Sequence, residues 1–168
     1  MLEELVEDTK EHNVRQTVFV ECSAMYRADG PEEMRCVGET DFVHGVAAMS
    51  RSGLYGDVRL CTGIFSTVDL RPGEAAEPVV EAQLAASENF RGIRSAFPSD
   101  LKDQFLAGFA LLQKYNLSYD NWSPDFTRLP TLAELANKFP EVTIIVNHLG
   151  GQIDPNADEA VSYTHLRA

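Results

Sequence analysis

The chain has 168 residues, 44% of them apolar, and carries a net charge of −12 with a pI of about 4.6. That length suits one domain able to bury a sizeable core. The acidic balance speaks against a nucleic-acid backbone or an anionic membrane surface as partner, and no apolar run approaches the ~18–20 residues of a membrane span.

The N-terminal stretch MLEELVEDTKEHN places Leu2, Leu5 and Val6 at helical spacing, so residues 2–12 read as a helix. It is acidic and unlike a secretory leader, which points to a cytoplasmic protein. QTVFVEC (16–22) reads as a short buried strand, followed by a long loop holding Gly30, Pro31 and Gly38. Residues 39–50 read as a helix ended by Gly53, and VRLCTGIFS (58–66) as a second strand. AAEPVVEAQLAAS reads as a helix with Pro78 tolerated in its first turns, and FRGIRSA (90–96) as a third strand. Asp100 is placed to cap a helix over 101–115, where Phe105, Phe109 and Leu112 share one face. LSYDNW (117–122) is the fourth strand, 130–138 a helix, and 141–147 a fifth strand. The run TIIV (143–146) has the composition of a parallel strand buried on both faces.

Strands alternating with helices at steps of about 25–42 residues imply a parallel sheet with crossover helices. An open doubly wound sheet and part of a (β/α)8 barrel both fit. No GxGxxG follows the first strand and no GxxxxGK[ST] occurs, so the usual nucleotide signatures of open sheets are missing. The cysteines, Cys22, Cys36 and Cys61, are odd in number and form no CxxC. They read as free thiols of a reducing compartment, with Cys22 and Cys61 expected to be buried in or at strands.

In either architecture ligands gather at the carboxyl ends of the strands. The polar residues there are Glu21 and Cys22, Ser66 and Asp69, Arg94, Asp120 and Trp122, and Asn147 with His148. His148, followed by two glycines, suits a general acid or base, or a metal ligand; capping of loop carbonyls is the bland alternative. Arg94 suits a substrate carboxylate, although an ion pair with Glu21 is the reading the residues favour. Trp122 suits stacking on a ligand, with a core or rim place the commoner reading, and Tyr26 and Arg27 lie on a loop well placed for substrate contacts or else simply solvated. Arg91 is a weaker candidate, and His12 and His44 are expected at the surface of helices. HxH, HExxH, CxxC and GxSxG are all absent.

The block VFVECSAMYRADGPEEMRCVGETDFVHGVAAMSRSGLYG, together with FRGIRSAF, LSYDNW and FPEVTIIVNHLGG in that order, resembles the amidohydrolase-related family of metal-dependent-hydrolase-like TIM barrels, lactonases included. The resemblance covers residues 2–153. It implies an α/β chain forming a partial (β/α)8 barrel of about five parallel strands, without the first and last strands. Those strands carry the family's HxH pair and its aspartate. SPDFTR stands where members often have an HPQ-like motif.

By analogy His148 is the strand-end catalytic histidine and Arg94 binds substrate, with Tyr26, Arg27, Trp122 and Asn147 as further substrate contacts. The resemblance implies a parent hydrolase of a small carboxylated lactone, ester or amide, with zinc or manganese in some members and His148 then a metal ligand. For this chain alone it implies no bound metal and little or no activity. Unpaired sheet edges would favour self-association. The rival readings are a non-enzymatic α/β domain binding an anionic metabolite and a decarboxylase of the same superfamily. Residues 154–168, ending in VSYTHLRA, do not continue the pattern and are expected to be a non-native or disordered tail.

Overall fold

A computed structural model describes residues 2–95, 97–123 and 125–150, so the expectation for 154–168 lies outside the described residues, as does His165. The fold is α/β. Five parallel strands, β1 (Gln16–Val20), β2 (Arg59–Thr67), β3 (Phe90–Arg94), β4 (Ser118–Asn121) and β5 (Ile144–Val146), lie side by side in sequence order. They form a curled half-barrel with helices. Sequential order without reversal is the arrangement of a barrel and not of a doubly wound sheet, which turns back at a switch point.

The helices are α1 (Leu2–Thr9), α2 (Val37–Arg51), α3 (Glu77–Ala86), α4 (Asp103–Lys114) and α5 (Leu129–Lys138). One helix follows each of β1 to β4, as parallel pairing requires. Gly53 follows α2 at φ 78°, a left-handed turn open to glycine. Pro78 sits in the first turn of α3, where the lost N–H costs nothing.

Register assigns the two faces of the sheet. Ser66, Ile93, Tyr119 and Ile144 are neighbours across β2 to β5, and this row faces the helices. Tyr119 packs edge-on against Phe109 of α4, with 5.2 Å between ring centroids. Phe109 also meets Phe105 and Phe139, and none of its surface is exposed. Phe105, Phe109 and Leu112 are all buried, as their spacing requires. Gly108 on the same helix lets α4 lie against the loop after β2: a Cβ there would come 2.1 Å from the Leu70 carbonyl oxygen.

The adjacent row, Thr67, Arg94, Asp120 and Ile145, points to the other face, since side chains alternate along a strand. Phe65, two residues before Thr67, shares that face, and its ring lies over Gly92. No helix covers this inner face among the described residues. Val18 is 57% exposed and Ile145 38%.

Four sequence expectations change. β5 is not buried on both faces: Ile145 and Val146 are exposed, because β5 is an edge strand paired with β4 alone among the described residues. Cys22 lies beyond the end of β1 and is exposed, whereas Cys36 and Cys61 are buried. Asp100 does not cap α4; Lys102 occupies the N-cap with extended backbone and no side-chain bond. Helix α1 stops at Thr9, whose hydroxyl turns back to the carbonyl oxygens of Leu5 and Val6.

Candidate functional site

The carboxyl ends of the strands hold a polar network. Arg94 and Asp120 are register partners on neighbouring strands, so their side chains stand side by side. Arg94 Nε donates to Asp120 Oδ1 at 2.8 Å. Asn147 Nδ2 donates to both Asp120 oxygens, at 3.3 and 3.0 Å. Glu21 Oε1 lies 3.9 Å from Arg94 Nη1, too long for a hydrogen bond. The expected Arg94–Glu21 pair is therefore the weaker of two contacts, and Asp120 is the main partner. Only 3% of the Asp120 side chain is exposed, so the charge-assisted bonds offset the cost of burying it. The Nη atoms of Arg94 make no hydrogen bond among the described residues, with Nη1 turned toward Glu21.

His148 follows directly. Its φ is 49°, a left-handed conformation that non-glycine residues seldom adopt. The Asn147 side-chain oxygen accepts the His148 backbone N–H at 2.7 Å and supports that turn. An exposed His148 borders a cavity of about 570 Å³ over the inner face, together with Asp120, Asn147, Val18 and Phe65.

Two further cavities lie nearby. One of about 330 Å³ is bordered by Arg94, Ser95, Thr67, Trp122 and Arg128. Trp122 is 47% exposed there, a rim position rather than a core one. Arg128 is held by the Phe97 carbonyl oxygen at 2.9 Å and by Asp125 at 3.2 Å. The other cavity, of about 670 Å³, lies between the loops after β1 and β2 and includes Tyr26. Burial holds the Tyr26 phenol above its ordinary value. Arg27 instead pairs with Asp41 of α2 at 2.7 Å. Thus Arg94, Asn147 and His148 come together around Asp120, Trp122 borders the adjoining cleft, and Tyr26 lines a separate chamber.

Buried polar side chains behind the site hold its loops. Glu39, in the first turn of α2, is fully buried. Its Oε1 accepts the backbone N–H groups of Ala24 at 2.8 Å and Cys22 at 3.1 Å. These bonds fix a loop in which Ser23 and Met25 have φ of 61° and 54°. Gln83 of α3 donates to Ser66 Oγ at 3.0 Å and accepts from Thr40 Oγ1 at 2.5 Å, tying α2 and α3 to β2. His44 meets Ser87 Oγ at 2.9 Å, a structural contact. Glu39 Oε2, Ser95 Oγ and Asn121 Oδ1 are buried without a hydrogen-bond partner among the described residues. Each such group costs about 1–3 kcal/mol when nothing meets it. In the sequence Asp120 is one strand-end residue among several, and Glu39, Gln83 and Ser95 carry no functional signal. Their only mark is a polar residue inside an otherwise apolar face, which only a three-dimensional core distinguishes from a solvated one.

The residues present do not by themselves fit a metal. Among the described residues no three His, Cys, Asp or Glu side chains converge to hold one. Both oxygens of Asp120, the carboxylate bordering the same cavity as His148, already accept hydrogen bonds from Asn147. No helix among the described residues is long and apolar enough to cross a membrane.

No family model matches the chain, and no solved structure matches it. It is similar to the uncharacterized protein y4mH of Sinorhizobium fredii (strain NBRC 101917 / NGR234), at 29% identity over 168 residues. That match takes in 92% of this chain and 50% of y4mH, so the chain spans about half the length of the curated relative it matches.

Proposed function

We propose that this chain is part of a (β/α)8 barrel of the amidohydrolase-related kind whose complete form hydrolyses a small carboxylated lactone, ester or amide. The observation that carries the reading is the meeting of Arg94, Asp120 and the Asn147–His148 pair, from three consecutive strands, at the carboxyl end of a sequentially ordered parallel sheet. Two open edges and an uncovered inner face suit a barrel whose first and last strands lie in a longer product. The chain's match to half of y4mH is in keeping with that.

In this reading the Nη groups of Arg94 take the substrate carboxylate, displacing the long contact to Glu21, and Asp120 fixes the guanidinium so that little entropy is lost on binding. His148, held at the cavity edge by its left-handed turn, moves a proton to or from the reacting carbonyl. Water activation falls to groups outside the described residues. A zinc or manganese ion, where the complete protein binds one, would take its ligands largely from there as well.

The test is the reading frame extended through its flanking DNA to about the length of y4mH. Proton release is measured on a panel of carboxylated lactones and esters, with and without zinc or manganese. Turnover is expected, falling at least about 100-fold in His148→Ala. An extended product that turns over nothing under any of these conditions would remove the reading, and release of carbon dioxide would move it to a decarboxylase.

A second reading, a non-enzymatic domain for an anionic metabolite, is favoured by the two guanidinium groups, Arg94 and Arg128, that border the 330 Å³ cavity. Binding of carboxylates by an extended product without turnover would select it.

A further inference from the structure

We infer that the 670 Å³ chamber between the loops after β1 and β2 receives a neutral, apolar arm of the same ligand whose carboxylate Arg94 holds; this rests on the carboxylate reading of Arg94 proposed above. Two observations carry it. The first is continuity. Thr67 and Ser95 border both this chamber and the 330 Å³ cavity of Arg94 and Trp122, so the two form neighbouring compartments along the carboxyl edge of the sheet. The second is Ser95 itself. It is 4% exposed, directly follows Arg94 in the chain, and its hydroxyl meets no hydrogen-bond partner among the described residues. A buried hydroxyl there is satisfied by an oxygen of the carboxylate that Arg94 holds, which seats that end of the ligand at the junction and leaves its arm to enter the chamber.

The lining decides the chemistry of the arm. Val68, Ala76, Val79 and Cys36 are buried apolar walls of the chamber. Burial pushes the Cys36 thiol above its ordinary value, so it is an uncharged wall. At the rim, Arg71 is already taken by Asp69 through bonds of 2.8 Å. Glu32 and Glu33 outweigh Arg35 on the lining and leave the opening net negative. A second carboxylate on the ligand would be repelled there, whereas a hydrocarbon or aromatic arm gains from burial. The ligand class is thus a monocarboxylate carrying a compact apolar substituent.

Binding to the intact chain and its variants is measured by isothermal titration calorimetry. The probes are acetate, adipate, 4-phenylbutyrate and the uncharged 4-phenylbutanol. The expected result is 4-phenylbutyrate binding at least about ten-fold more tightly than acetate or adipate. Ala75→Trp, at an exposed position on the chamber wall, should abolish that advantage and leave acetate unchanged. Ser95→Ala should weaken every carboxylate probe about three- to ten-fold. Equal affinity for acetate and 4-phenylbutyrate, or an advantage that survives Ala75→Trp, overturns the chamber assignment while leaving the carboxylate site. Binding of 4-phenylbutanol as tight as that of 4-phenylbutyrate and lost in Ala75→Trp supports the chamber and overturns the carboxylate role of Arg94. No binding of any probe overturns both.

Discussion

The two faces of the sheet come from the same five strands, yet their surroundings differ sharply. On the helix side, Ile93 and Tyr119 have no exposed surface, and an aromatic cluster centred on Phe109 fills the space between sheet and α4. On the inner side, Phe65 covers Gly92 in the middle of the sheet, but Val18 on one edge and Ile145 on the other stay exposed. Alternation makes both faces apolar; only one of them has a partner layer. The covered face therefore supplies the stability, and the open face supplies the space in which strand-end groups meet a ligand.

The contrast predicts a graded set of responses. Phe109→Ala should be the most damaging, costing about 3–5 kcal/mol in a urea titration, since a fully buried ring leaves a cavity the surrounding aromatics cannot close. An effect below ~1 kcal/mol would mean the helix layer packs loosely. Asp120→Ala comes next, at the low end of the ~3–5 kcal/mol typical of a broken buried pair, because Glu21 still lies near the orphaned Arg94. Gly108→Ala should cost about 1–3 kcal/mol by pushing α4 off the Leu70 carbonyl, which as backbone has little room to give.

Smaller effects test the open face and its rim. The Arg71 guanidinium, chiefly by hydrogen bonding, holds the Asp69 carboxyl below its ordinary value. Stability from this pair is present above the unfolded carboxylate value of about 3.9 and is lost as pH falls through the lower folded value. With 65% and 46% of the two side chains exposed, screening limits it to under ~1 kcal/mol. Asp69→Asn should flatten that part of the acid-unfolding curve and nothing else. Val18→Thr and Ile145→Thr should each change stability by no more than ~0.5 kcal/mol if the inner face is open in solution. A loss above ~1 kcal/mol, or one that depends on protein concentration, would show that a second copy covers it.

Much of the fold was legible because it rests on local periodicity. The runs around Ile64, Ile93 and Ile144 marked strands, and Phe105, Phe109 and Leu112 marked the buried stripe of α4, since both patterns follow from backbone geometry. The strand-end rule located Arg94, Asn147 and His148 on one side of the sheet before any coordinates. It did not reveal that Asp120, from the strand between, is the hub that both Arg94 and Asn147 use. That depends on the register of β3 with β4 and of β4 with β5, which no local pattern encodes. The burial of β5 was misjudged for a related reason. A β-branched run reads the same at the centre of a sheet and at its edge, and only the neighbouring strand distinguishes them.

The order and type of the elements, and the carboxyl end where polar groups collect, are written locally along the chain. Hydrophobic spacing and turn residues act within a few positions of one another, so they can be read there. Which strands become edges, which face stays open, and which buried polar atoms lack a partner among the described residues follow only from the assembled fold. Glu39 holding the loop at Cys22 and Ala24, Gln83 bridging α2 and α3 to β2, and Ser95 waiting between two cavities arise from contacts between distant segments. Those contacts are set by packing and register across the whole sheet, and no short stretch of residues contains that information.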